Sequence, residues 1–144
     1  MSGAFKMDLK IKENIVPHTD ELISLYDDAG WSNYTNDPQM LKGAYDNSLK
    51  IVSAWDKNKL IGVIRVIGDG YSIIYIQDLL VLKEYQCRGI GSKLLDSILE
   101  KYKDVYQKVL LTDDKENTVK FYEHHGFSRS EKFGCTAFVN FTVR

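Results

Sequence analysis

A chain of 144 residues that is 44% hydrophobic suits one domain with a substantial core, and no second domain is needed. Its 19 basic and 20 acidic residues leave a formal charge of −1 with no long run of one sign, which argues against a nucleic-acid or membrane surface. No apolar run approaches the roughly 20 residues that span a bilayer, and the opening MSGAFKMDLK lacks the apolar centre of a signal peptide, so a cytoplasmic location is expected.

In chain order, residues 1–7 read as a short extension and 8–144 as the domain, and Met7 is a candidate natural start. Asp8 to Lys12 alternates Leu9 and Ile11 with polar residues and predicts a first strand. His18-Thr19-Asp20-Glu21 opens a helix with Thr19 as N-cap; Leu22, Leu25, Tyr26 and Ala29 form its buried stripe, and Gly30 ends it. The polar loop from Gly30 to Asp37 carries Trp31 and Tyr34, which are either half-buried packing or the walls of a small-ligand pocket. Asp37-Pro38 supplies an N-cap and an N1 proline for a second helix, with Leu41, Ala44, Tyr45 and Ser48 on one face.

From Leu49 the pattern changes to LKIVSAW, LIGVIRVI and YSIIYIQDLLVL, separated by turns at Asp56–Lys59 and Gly68–Gly70, which predicts an antiparallel meander. Gly62 marks a bulge or a close backbone approach. Tyr75 to Leu82 is dense enough in aliphatic and β-branched residues for burial on both faces, interrupted only by Gln77 and Asp78. A helix from Gly89 to about Tyr102 follows, then a strand over Val105–Thr112 lying parallel to the third meander strand. Asp113 or Asp114 caps a further helix whose stripe is Val119, Tyr122 and His125, and Gly126 ends it. Phe127–Ser130 and Cys135–Val143 read as a closing pair of strands with Phe133-Gly134 near their turn.

The turn Gln86-Cys87-Arg88-Gly89-Ile90-Gly91 hands a strand over to a helix N-terminus, where unpaired N–H groups face one way and favour an anion. Gly89 and Gly91 permit a sharp turn close to a ligand, while Arg88 and Lys93 add positive charge. The nucleotide pattern G-x-x-x-x-G-K-[ST] is absent, and G-x-G-x-x-G fails at Leu94. Cys87 is either a reactive thiol at a helix terminus or a tolerated loop residue. Cys87 and Cys135 form no C-x-x-C pair, and His124 and His125 are adjacent on a helix, so neither a disulfide nor a metal site is expected.

What remains is Q-x-x-G-x-G, which resembles the acetyl-coenzyme A pyrophosphate loop of the GCN5-related N-acetyltransferase (GNAT) superfamily. Phe121-Tyr122-Glu123-His124-His125-Gly126-Phe127 is similar to the end of the same domain and follows the loop in the right order. The resemblance spans about residues 8 to 143. It implies an α/β (α+β) fold with a mixed, mostly antiparallel sheet of about six to seven strands, about four flanking helices and a splayed strand pair.

The resemblance further implies acetyl-CoA as co-substrate and no metal. Backbone groups of Leu80, Val81 and Leu82 would pair with the pantetheine arm, and N–H groups from Cys87 through Arg88, Gly89, Ile90 and Gly91 to Ser92 would hold the pyrophosphate. Gln86 opens the motif, Lys93 adds charge, and Phe121 belongs to the second motif. Relatives often carry an asparagine that contacts the coenzyme, but Lys115 and Thr118 stand at the corresponding positions, which leaves Asn117 as the candidate. The implied reaction is direct acetyl transfer to an amine, without a covalent enzyme intermediate. Tyr122 occupies the position where relatives often carry a tyrosine whose hydroxyl reaches the coenzyme sulfur, and is either the general acid or a residue that packs on its helix stripe with Val119. Asp78 is either the base that draws the amine's proton or a strand aspartate bonded to its neighbours.

Trp31, Tyr34 and Tyr45, with the near-neutral charge, favour a small primary amine as acceptor. The alternatives are a protein or peptide N-acetyltransferase and a non-catalytic acyl-CoA binding module. A homodimer is compatible with the resemblance.

Overall fold

Side chains at two helix starts fix where the helices between the first two strands begin. Glu21 Oε1 accepts a hydrogen bond from the His18 backbone N at 3.1 Å, so α1 (Thr19–Asp28) takes His18 rather than Thr19 as its N-cap residue. Asp37 Oδ1 accepts from Met40 N at 3.1 Å and Pro38 occupies N1, which starts α3 (Pro38–Asp46) where the sequence places it. Between them, the loop predicted over Gly30–Asp37 folds one more turn of helix, α2 (Ser32–Thr35).

The computed structural model describes residues 6–142. The extension expected over residues 1–7 therefore lies mostly outside the described residues, as do Val143 and Arg144. The chain falls into two compact units, the first ending at Leu111 and the second beginning at Thr112.

In the first unit β1 (Leu9–Lys12), β2 (Lys50–Asp56), β3 (Lys59–Gly68), β4 (Ile73–Val81) and β5 (Gln107–Leu110) form one sheet in sequential order. The first four strands are antiparallel, as the short turns require for β2 to β4, with β1 joining β2 across the segment of three helices, and β5 lies parallel to β4 after the crossover through α4 (Ile90–Lys101). Two irregularities shape the sheet. Ile61 is the extra residue where Ala54 faces Gly62 and Trp55 faces Leu60. Gln77 is the extra residue where Arg65 faces Asp78 and Val66 faces Ile76. A Cβ on Gly62 would lie 3.1 Å from the Leu80 carbonyl oxygen and 3.3 Å from Leu94 Cδ1, so both sequence expectations hold there: a neighbouring bulge and a close approach.

Gly62 faces Leu94 of α4, whereas Arg65, three residues on, meets Asp78 on the side of α1 and α3. Period-two alternation therefore puts α4 on one face of the sheet and α1 with α3 on the other. Leu22, Leu25, Leu41, Ile61 and Val63 are buried, as are Ile64, Ile90, Leu94, Leu95 and Ile98. β4 alternates buried and half-buried residues instead of being buried on both faces. An unbroken aliphatic run is compatible with cover that changes from residue to residue, and composition does not separate the two cases.

The second unit holds α5 (Glu116–His124) and a short 3₁₀ turn over Ser130–Phe133. Helix α5 takes Lys115 as its N-cap, one residue past the predicted acids; Asp113 Oδ1 instead accepts from Lys115 N at 3.0 Å. Gly126, at φ +91°, ends the helix region as expected. Among the described residues, five strands and five α-helices, α2 included, replace the six to seven strands and about four helices expected. Among the described residues no strand forms over 127–130 or 135–142. The apolar alternation there names a face but no partner backbone, and the bonds Gly134 N to Glu131 O and Cys135 N to Ser130 O close the chain on itself at the intended turn.

Candidate active site

β4 pairs with β5 only over Ile73–Ile76, so beyond Ile76 one edge of β4 leaves the parallel ladder. Leu82 N donates to Ile61 O at 2.8 Å, which directs the peptide groups of Leu82, Leu80 and Asp78 toward β3. Those of Leu79 and Val81 then point to the open edge. The Gln86 side chain shows the direction: its Nε2 donates to Val81 O at 3.0 Å. Of the three residues expected to offer backbone groups, only Val81 does so at this edge, and Leu79 joins it. The signal for Leu79 is ladder parity, which needs the register and so cannot be read from one strand.

After a 3₁₀ turn over Lys83–Tyr85, Cys87 adopts φ +65° and Gly89 φ +80°, two left-handed residues that turn the chain into α4. Helix α4 therefore begins at Ile90, with Gly89 as its N-cap. Its first intrahelical bond runs from Lys93 N to Gly89 O, so the N–H groups of Ile90 and Gly91 have no carbonyl one turn back within the helix. A Cβ at Gly89 would meet nothing within 4 Å, so the glycine serves the backbone angle and the space beside it is open. Gln86, Cys87, Arg88, Gly89 and Lys93 are exposed and Ser92 is half-buried. Open N–H groups, a helix N-terminus and two cationic side chains form a donor set that fits a pyrophosphate.

Behind β4 lies a buried polar chain. Asp78 Oδ2 accepts from Arg65 Nε at 2.8 Å and from the Tyr26 hydroxyl at 2.7 Å. Tyr26 and Tyr45 hydroxyl oxygens are 2.7 Å apart; since the single Tyr26 proton goes to Asp78, Tyr45 must donate to Tyr26. Arg65 Nη1 also reaches Ser48 Oγ at 3.4 Å, and its guanidinium lies over the Tyr45 ring. Among the described residues Arg65 and Asp78 are the only buried charged side chains. Burial, then the neighbouring Tyr45 and Asp78, raises the Tyr26 phenol far above its usual range, and burial likewise raises Tyr45. Burial works against the Arg65 charge, but Asp78, together with Tyr26 and Tyr45, more than offsets it.

Tyr26 is also the hub of an aromatic cluster. Its ring centroid lies 5.8 Å from Trp31, 5.0 Å from Tyr34 and 6.2 Å from Tyr45. Gln77 Nε2, at the bulge, donates to the Tyr34 hydroxyl at 3.4 Å. Trp31 and Tyr34 are half-buried, whereas Tyr45 is 1% exposed and stands behind Tyr26. Arg65 and Tyr26 were legible only as a lone charge in an apolar strand and as one member of a helix stripe.

In the second unit Tyr122 packs edge-on to Phe121 at 5.1 Å and to Phe127 at 5.9 Å, and Phe121 lies 4.8 Å from His125. Phe127 N donates to Tyr122 O at 3.0 Å, folding the motif back on its helix. Burial, assisted by the charge of Asp113, pushes the Tyr122 phenol up to about 12. Asn117 Oδ1 accepts from the next residue's backbone, Thr118 N, at 3.0 Å.

Two cavities of about 360 and 220 Å³ flank Tyr45 and Asp46. The larger also touches Lys101 and Tyr102, at the end of α4 remote from the glycine loop, so neither cavity coincides with the anion site. Among the described residues no three His, Cys, Asp or Glu side chains gather as a metal site, and no helix is long and apolar enough to cross a membrane.

A family model described as an acetyltransferase (GNAT) domain matches residues 13–143. An uncharacterized N-acetyltransferase from Prochlorococcus marinus is 32% identical over 123 residues, covering 82% of this chain and 67% of that protein. One from Gracilaria tenuistipitata is 31% identical over 113 residues, covering 74% of this chain and 60% of that protein. A GNAT-family acetyltransferase from Streptococcus pneumoniae superposes with a TM-score of 0.84 at 35% identity, over 94% of this chain and 99% of that one. The fold is also that of a Thermoplasma acidophilum N-acetyltransferase solved in complex with coenzyme A, with a TM-score of 0.68 at 18% identity over 85% of this chain and 91% of that one. With the open β4 edge, the glycine loop and the F-Y-x-x-x-G-F helix end in place, this chain belongs to the GNAT acetyltransferase family.

Proposed function

We propose that the protein transfers the acetyl group of acetyl-CoA directly to a primary amine of a small molecule. The observation that carries this reading is the continuity of the open β4 edge at Leu79 and Val81 with the glycine loop and the N-terminus of α4. The edge suits an extended amide-bearing arm added as a strand. The N–H groups of the loop, with Arg88 and Lys93, suit a pyrophosphate. Acetyl-CoA supplies an acetyl group activated as a thioester, and the chain's own groups orient it and manage protons.

Tyr122 is the proton donor to the departing sulfur in this reading. Its raised pKa keeps the phenol protonated at neutral pH, as a donor must be. Asp78 is the fixed negative end of a buried chain rather than the group that takes the amine's proton. It is 2% exposed, and Oδ2 already receives Arg65 and Tyr26. The amine then reacts from its neutral fraction, so kcat/KM rises with pH toward the amine's own pKa. Trp31 and Tyr34, half-buried beside Gln77, form the acceptor-side wall and favour a compact amine with an apolar body over a protein chain.

The test is release of free thiol from acetyl-CoA in the presence of phenethylamine, spermidine, lysine or a peptide with a free N-terminus. Acceptor-dependent release with a small amine is expected. Release with the peptide alone would move the reading to protein acetylation, and acetyl-CoA binding without acceptor-dependent release would leave a non-catalytic acyl-CoA module.

A further inference from the structure

From the placement of Tyr26 we infer that it is a positioning residue for the acceptor wall, acting through the bond of its hydroxyl to Asp78; this rests on the acceptor reading above. One end of Tyr26 is fixed. Its hydroxyl donates to Asp78 Oδ2 at 2.7 Å, and Arg65 holds the same oxygen at 2.8 Å from the neighbouring strand. The other end carries load: the ring contacts both Trp31 and Tyr34, with centroids 5.8 and 5.0 Å away. Asp78 is the residue next to the extra residue Gln77, whose amide reaches Tyr34. One side chain thus ties the two aromatic residues of α2 and its approach to the strand position where β4 departs from regular pairing.

The charge arrangement makes this tie directional. Asp78 can only accept when ionised, Arg65 can only donate, and Tyr26 has one proton, which Asp78 receives. Tyr45 then donates to Tyr26, so rotating the Tyr26 hydroxyl would break two buried bonds together. Among the described residues no buried side-chain nitrogen or oxygen lacks a partner, so these hydrogen bonds leave no buried side-chain polar atom of the cluster unsatisfied. The ring is therefore held in one place, and Trp31 and Tyr34 rest against a fixed surface.

Tyr26→Phe keeps the ring volume and removes the tie. The expected result is a rise of about tenfold in acceptor KM, with kcat changed less than about twofold and acetyl-CoA KM unchanged. Ile98→Val, a truncation within the buried face of α4, serves as a destabilised control and should leave acceptor KM unmoved. A second measurement needs no acceptor. In a Trp55→Phe background Trp31 is the sole tryptophan, and with excitation beyond tyrosine absorption, adding Tyr26→Phe should raise its acrylamide quenching constant. Unchanged quenching, or an acceptor KM that moves no more than in Ile98→Val, would overturn the inference. If the wild-type chain releases no thiol with any amine, the acceptor reading fails while the quenching result still decides whether Tyr26 holds the wall.

Discussion

Replacing Arg65 with methionine should cost far more than its single ion pair suggests. The Arg65 and Asp78 side chains are 6% and 1% exposed and meet at 2.8 Å, so the substitution leaves a buried carboxylate with Tyr26 as its remaining donor among the bonds described. Breaking a buried pair from one side costs about 3–5 kcal/mol, whereas an exposed pair contributes at most about 1 kcal/mol. The Lys42–Asp46 pair, 64% and 46% exposed, supplies the comparison within the same unit. A domain of this size carries on the order of 5–15 kcal/mol in total, so Arg65→Met should remain measurable by urea unfolding followed by circular dichroism. Lys42→Ala should shift the midpoint barely. The pair Arg65→Met with Asp78→Leu removes both charges, and should recover part of the loss because no unpaired carboxylate remains. A cost for Arg65→Met no larger than that of Lys42→Ala would refute the role of this cluster as a buried, charge-balanced anchor.

Other expectations follow from single positions. Tyr122→Phe should lower kcat by about 10²-fold or more while leaving acetyl-CoA affinity nearly unchanged; an unaltered kcat removes Tyr122 as the acid. Because the Tyr122 phenol is pushed up to about 12, kcat should show no alkaline fall through pH 10, and a fall centred near the usual tyrosine value of about 10 would contradict its assignment. Gly89→Ala meets no neighbour but must hold φ +80°, so it should cost about 1–2 kcal/mol of local strain and weaken acetyl-CoA binding in a titration. Asp37→Ala should lower stability by about 0.5–2 kcal/mol through loss of the Met40 cap, with no change in acetyl-CoA affinity.

The strand, glycine turn and helix start of the candidate donor site were legible because their signals are local. A strand, a glycine-bearing turn and a helix start lie within consecutive residues, and φ +80° at Gly89 is the kind of angle a glycine announces. The meander, its parallel partner and the Asp37-Pro38 helix start were legible for the same reason. What escaped depended on register. Leu79 rather than Leu80 or Leu82 faces the open edge because of how β4 pairs with β3, and the extra residue Gln77 appears only when both strands are aligned. The Arg65–Asp78–Tyr26–Tyr45 chain joins four elements, so no window of sequence contains it. The final strands failed for a related reason: the alternation from Cys135 onward was real, but alternation does not supply a neighbouring backbone.

The central claim is that the donor lies along the β4 edge and the glycine loop. Amide chemical-shift mapping of the ¹⁵N-labelled chain titrated with acetyl-CoA tests it most directly. Large shifts at Leu79, Val81 and the amides from Cys87 to Gly91 are predicted. Shifts gathered instead around Asp46, Leu49 and Tyr102, which line the cavity at the other end of α4, would contradict it.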